Sequence, residues 1–133
     1  MGCLLIDGKG KPLLPMIIRT DTRAREQERK MVEAVGEERG YKITGHRLSA
    51  SYSAAKLLWV RDQEPAVYSR AAKMLNAKDY MIYRLTGEIV TDYSDASGTN
   101  LLDITQKKWS DEMFRITGIP RSFVPERLLE SCD

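Results

Sequence analysis

An α/β fold is predicted for this chain by the order in which its hydrophobic patterns change. Two β-forming runs stand near the start, residues 3–7 (CLLID) and 13–19 (LLPMIIR), joined by the Gly-rich turn GKGK. Apolar stripes at helical spacing follow, and from Glu88 the pattern returns to β-formers at Ile89, Val90 and residues 99–105. Strands, then helices, then strands describe a mixed domain rather than a helix bundle. At 133 residues there is room for one domain of ordinary size.

Each element has its own signals. Pro12 and Pro15 lack an N–H and limit the pairing of the second strand. Polar residues 19–22 (RTDT) open a helix running to about residue 39, with Ala24, Met31, Val32 and Val35 on one face and Gly40 as its stop. The charged run RAREQERK reads as the solvated side of that helix rather than as a binding patch. Residues 41–50 show no period and include Gly45 and the lone His46, so they read as loop, with no partner that would make His46 catalytic.

Residues 51–63 (SYSAAKLLWVRDQ) form a helix with Ser53 as N-cap and Pro65 as stop. Leu57, Leu58 and Trp59 belong to its core side, Trp59 being the expected anchor. Val67, Tyr68, Ala71, Ala72 and Leu75 make one stripe of a second helix, with Pro65 suited to its first turn. A third helix over residues 78–85 buries Tyr80, Met81 and Leu85 and ends at Thr86-Gly87. Residues 92–98 are a polar, turn-rich segment. Asp92, Asp95 and Ser97 read as turn-formers that bond their own backbone, since their spacing is not that of a calcium loop. Ser110 caps a last helix with Asp111 and Glu112 in its first turn, and Gly118 and Pro120 end it.

Composition narrows function by exclusion. Lys and Arg outnumber Asp and Glu by only 21 to 19, a formal charge of +2, which gives little reason to expect a nucleic-acid partner. With 42% hydrophobic and 30% charged residues the chain is ordinary for a folded globular protein. No apolar run approaches the roughly 20 residues of a membrane span, and no leader pattern follows Met1, so no membrane partner and a cytoplasmic location are expected. Cys3 and Cys132 have no metal-ligand spacing and are expected to be free thiols, with no metal site.

Residues 51–63 carry the sharpest pattern. Ser51, Ser53, Lys56, Leu57, Trp59, Val60, Asp62 and Gln63 match each constrained position of a signature, and the stretch resembles the first signature of the FGGY carbohydrate kinases. The likeness continues, in the order seen in xylulokinase-like members, through LLIDGKGKPLLPMII and TDTR, KDYMIYRLTGE, TDYSDASGT, LLDI with KKWS, and P-x-x-LLES. It implies a partial ribonuclease H-like domain of the hexokinase/actin type with a helical segment. It also implies a parent that moves the γ-phosphoryl group of ATP, with Mg²⁺, to a hydroxyl of a sugar, most like a pentulose such as xylulose.

The same resemblance sets expectations for what the chain holds. The Asp-x-Gly-Thr-Thr phosphate loop, the catalytic Asp segment and the ATP domain have no counterpart in residues 1–133, so a single partial domain, inactive alone, is expected, with no catalytic residue and no tight binding of ATP or Mg²⁺. Its partners would be a sugar substrate and the rest of the kinase. The strand at residues 3–7 would lack neighbours and leave an exposed edge. Ser51 and Tyr52, at the head of the signature, are the expected sugar-binding residues. Ser51 is small, as in xylulokinase-like members, where glycerol-type kinases carry a bulky aromatic. Asp21 and Arg23 match a Trp-x-Asp-x-Arg pattern as further substrate-binding candidates, but Arg19 stands where the family has Trp, a flexible cation in place of a stacking wall. Helix capping and a local ion pair explain Asp21 and Arg23 equally well. The rival expectation is a non-catalytic module presenting residues 65–85 as a helical protein-binding surface; a weaker one is a nucleic-acid binder using residues 19–39.

Overall fold

The computed structural model describes all of residues 1–133. A hydrophobic strand, β1 (Gly2–Ile6), is buried along its whole length and runs through the centre of the first sheet. On one side it pairs antiparallel with β2 (Ile17–Ile18), on the other with β3 (Lys73–Leu75), through Cys3↔Ile17 and Leu5↔Met74. The expected exposed edge at residues 3–7 is therefore absent, because residues 73–75 form a strand instead of continuing a helix. The β1–β2 turn is tied by the Asp7 carboxylate, which accepts from the Lys9 and Lys11 amides at 2.8 and 2.9 Å. Pairing around Pro12 is confined to an isolated bridge, so β2 is two residues long rather than the seven expected.

The helical expectation for residues 24–39 divides in two. Helix α1 (Arg25–Val35) ends at Gly36, whose φ of 87° lies where a side chain is strained, and α2 (Glu37–Thr44) follows directly. The stop is thus Gly36, and residues 41–44, expected as loop, are helical. Gly40 lies buried inside α2, and a Cβ there would stand 2.8 Å from Leu48 Cγ. Gly40→Ala is expected to cost about 1–3 kcal/mol by overpacking, outweighing a gain of about 1 kcal/mol in helix propensity. A urea midpoint equal to or above that of the unchanged chain would show that Leu48 yields. On the outer face of α1, Arg29 pairs with Glu26 and Glu33, as a solvated helix face should.

Helix α3 (Ser53–Gln63) packs on β1, α1 and the short α4 (Pro65–Arg70). Its N-cap is Tyr52; Ser53 is the first helical residue, and its hydroxyl donates to the Gly2 carbonyl at 2.5 Å, so it ties helix to strand instead of capping. Leu57, Leu58 and Val60 are buried, whereas Trp59 is only half-buried. Helix α5 (Ala77–Thr86) starts at an Asn76–Asp79 capping box. It leaves Met81 and Leu85 57% and 80% exposed, against the expected burial of that face. Because β3 separates α4 from α5, residues 65–85 present no continuous helical surface.

The remainder is short. Strand β4 (Val90–Asp92) pairs in parallel with β7 (Arg127–Leu129), and between them lie helix α6 (Tyr93–Ser97), the hairpin β5 (Leu102–Asp103) and β6 (Lys108–Trp109), and helix α7 (Asp111–Thr117). Residues 93–97 are therefore helical where a turn was expected, started by Asp92, whose carboxylate accepts from the Asp95 amide at 2.8 Å. Ser110 caps α7 by accepting from the Met113 amide at 3.2 Å, and Gly118 ends it, both as expected. One core joins α1, α3, α7, β1 and the C-terminal Phe123 and Val124. No helix is long and apolar enough to cross a membrane.

Candidate functional site

The segment entering α3, residues 47–53, is held from four directions. Asn100, fully buried and in the left-handed region at φ 63°, donates from Nδ2 to the Arg47 carbonyl at 3.2 Å and accepts from the Ser49 amide at 3.4 Å. Glu28 of α1 turns inward and accepts from the Ala50 amide at 2.6 Å. Lys56, one turn into α3 and completely buried, donates to the Ala50 carbonyl and, at 2.9 Å, to the Asp21 carbonyl. The Ser53 hydroxyl completes the set through Gly2. Burial holds the Lys56 ammonium below the ordinary lysine value, against the pull of the Asp21 carboxylate.

This pinned turn forms one wall of a pocket of about 420 Å³ lined by Arg19, Tyr41, Gly45, His46, Arg47, Ser49, Ser51 and Tyr52. The His46 and Tyr52 rings lie tilted at 5.3 Å. Hydroxyl groups and basic side chains face the space, and no carboxylate lines it. Such a wall can hydrogen-bond a polyhydroxylated ligand and fix its orientation. With no Asp or Glu in the lining, the wall supplies no carboxylate to accept a hydroxyl proton.

Of the four expected site residues, Ser51 and Tyr52 line this pocket, while Asp21 and Arg23 stand outside it. They form their own fork: Arg23 Nη2 lies 2.6 Å from Asp21 Oδ2, and Nε is 3.0 Å from both carboxylate oxygens. The guanidinium covers the Trp59 ring at 4.9 Å, which explains why Trp59 is not sealed in the core. The hydrogen bonds from Arg23 lower the Asp21 carboxyl to about 2. With the folded value below the unfolded value of about 3.9, its stabilising contribution is present above pH 4 and is lost as pH falls through about 2. The pair is partly exposed, so the contribution is small. A carboxyl NMR titration is expected to find the Asp21 midpoint near 2 and Arg23→Ala to return it towards about 3.9; a midpoint near 4 in the unchanged chain would rule the fork out.

A family model described as the N-terminal domain of the FGGY family of carbohydrate kinases matches residues 1–132. The chain belongs to the FGGY carbohydrate kinases. Over 130 residues it is 38% identical to the xylulose kinase of Lactococcus lactis, covering 98% of this chain and 26% of that protein. It is 41% identical to the glycerol kinase of Thermococcus gammatolerans, covering 92% of this chain and 26% of that one. The crystal structure of a ligand-bound xylulose kinase from Lactobacillus acidophilus superposes with a TM-score of 0.90 at 26% identity, over 99% of this chain and 27% of that chain. The α/β class and ribonuclease H-like architecture are thereby those of the FGGY kinases, and the chain spans about a quarter of the length of the relatives it matches.

Within this FGGY domain, three residues that hold the pocket were missed from the sequence: Lys56 as an internal tie, Asn100 and Glu28. One signal was available, since Lys56 is the only charge within residues 54–60. Asp79, Asp92 and Asp95 converge on Lys78, whose Nζ lies 2.8, 3.3 and 3.4 Å from them. Burial raises the Asp79 carboxyl, and Lys78 opposes that shift. A lysine ammonium already occupies the centre of these carboxylates, and nowhere do three His, Cys, Asp or Glu residues stand close enough to hold an ion. The residues of this chain do not fit Mg²⁺.

Proposed function

We propose that this chain forms the sugar-side wall of an ATP-dependent carbohydrate kinase whose acceptor is a pentulose such as xylulose. The observation that supports this reading is the placement of Ser51 and Tyr52, the head of the family's signature, on one rigidly held pocket wall. Phosphoryl transfer depends on holding the acceptor hydroxyl in line with the phosphate, so a wall pinned by Lys56, Asn100 and Glu28 supplies orientation. Ser51 contributes a hydroxyl and leaves volume beside it that a five-carbon ketose would occupy. Asp21 braces the wall through its carbonyl, which accepts from Lys56, and Arg23 holds the Asp21 carboxylate. ATP, Mg²⁺ and the proton acceptor belong to the parent enzyme, with residues 1–133 a single partial domain that is inactive alone.

A coupled assay tests both halves. The purified chain with ATP and xylulose is expected to release no sugar-dependent ADP, and enzyme-like turnover would refute the partial-domain reading. In a full-length kinase carrying this segment, a pentulose should outrank glycerol. Ser51→Tyr should weaken the pentulose by about 1–3 kcal/mol, roughly tenfold to a hundredfold, by filling the pocket. Unchanged pentulose kinetics in that variant would remove Ser51 from the site.

A further inference from the structure

The hairpin between β1 and β2 faces α5 across a second cleft of about 420 Å³. It lies at the Ile6 end of β1, whereas the sugar pocket lies at the other end, where Gly2 pairs with Ile18 and the chain enters Arg19. Three cations, Lys9, Lys11 and Arg84, line the cleft with Gly10, Tyr80 and Tyr83, and no acid does. None of the three forms an ion pair anywhere in the protein, although the formal charge of the whole chain is only +2. Asp7, the acid nearest to the lysines in sequence, turns its carboxylate to the Lys9 and Lys11 amides. The Gly10 amide donates to the Asp7 carbonyl at 3.0 Å and the Asp7 amide to the Lys11 carbonyl at 2.9 Å, so the turn that carries both lysines is fixed.

The α5 side is fixed as well. Tyr83 lies against Gly10, which has a φ of 80° and where a Cβ would stand 1.9 Å from the tyrosine hydroxyl oxygen. Tyr80 accepts from Arg84 Nη1 at 3.1 Å, and the guanidinium lies 5.9 Å from the Tyr80 ring centroid. Arg84 keeps further N–H groups free, and the Tyr80 hydroxyl keeps its own proton to donate. The cleft therefore offers donors and positive charge without a competing carboxylate, which is the chemistry that holds phosphoryl oxygens.

We propose that this cleft binds a small diphosphate anion, one phosphoryl group between Lys9 and Lys11 and the other at Arg84 and Tyr80. Each phosphoryl group carries about 1.5 to 2 negative charges near neutral pH, so two of them balance three cations where a single carboxylate does not. The five residues of β1 separate this cleft from the sugar pocket by about 15 Å. An anion held here leaves that pocket open, and the site stands or falls independently of the sugar reading.

The test titrates the 133-residue chain, in buffer free of Mg²⁺, with pyrophosphate, orthophosphate and a hexaglutamate peptide, followed by amide NMR shifts. Pyrophosphate is expected to saturate one site, to shift the amides of Lys9, Gly10, Lys11, Arg84 and Gly87, and to bind about tenfold more tightly than orthophosphate. Lys9→Gln combined with Lys11→Gln should weaken pyrophosphate about tenfold or more. Lys107→Gln combined with Lys108→Gln, beside the β5–β6 turn, removes the same charge at a distance and should leave binding within about twofold. All four lysines are exposed, and an unperturbed spectrum away from the substitutions will show that both variants fold. Equal losses in the two double variants, or shifts that never saturate, would mean general attraction between charges and overturn the site. A hexaglutamate peptide that outbinds pyrophosphate overturns the phosphate assignment and makes the cleft a surface for acidic protein segments.

Discussion

Trp109→Ala is expected to lower stability by about 3–5 kcal/mol, with a further contribution of about 1–3 kcal/mol from an orphaned carbonyl. Trp109 is 2% exposed, packs edge to face on Phe114 with ring centroids 6.3 Å apart, and donates from Nε1 to the Pro125 carbonyl at 2.8 Å. That bond fixes the run from Phe123 to Pro125, from which β7 departs to pair with β4. Small domains are stable by only about 5–15 kcal/mol, so a loss of this size should unfold much of the population or free the C-terminal strand. Trp109→Phe keeps most of the ring and loses the donor, and should cost about 1–3 kcal/mol. The measurement is the urea midpoint with hydrogen exchange at residues 123–129. An unchanged midpoint in Trp109→Ala would mean that the C-terminal segment is not held by this contact.

The contrast with Trp59 shows what sequence alone could and could not reveal. Trp59 sits in a strong helical pattern and was the expected anchor, yet Arg23 takes its face and it is only half-buried. Trp109 lies in a two-residue strand with no periodic pattern, and its burial comes from chain segments 5 to 16 residues away in sequence. Helices α3 and α7 were legible because local signals bound them: a polar turn and Pro65 for one, Ser110 and Gly118 for the other. Strand β3 was not, since Leu75 also fits the helical stripe begun at Val67, and only pairing with β1, some 70 residues earlier, selects the extended form. Gly36 and Gly40 look alike in sequence; one supplies a positive φ, the other clearance for Leu48. At the pocket, Ser51 and Tyr52 could be placed from their motif. The ties behind them could not, because they run to backbone carbonyls and amides that carry no sequence label.

The strongest of those ties gives the other large expected effect. Lys56→Ala should cost about 3–5 kcal/mol, since it removes a fully buried four-carbon stem, leaves a cavity beneath the turn and strips the Asp21 and Ala50 carbonyls of their donor. Lys56→Met retains most of the apolar volume and should cost less, about 1–3 kcal/mol, because relief from burying an ammonium offsets part of the loss of two hydrogen bonds. The gap between the two variants therefore separates packing of the stem from the work of the charge. Lys56 also joins the segment carrying Asp21 to the turn carrying Ser51, so even the milder variant should loosen the pocket wall. Faster hydrogen exchange is expected at the amides of Ala50, Ser51 and Tyr52, with α7 unaffected. If Lys56→Met keeps both its denaturation midpoint and the protection of that turn, the pocket is held without the lysine, and Glu28 and Asn100 are sufficient ties.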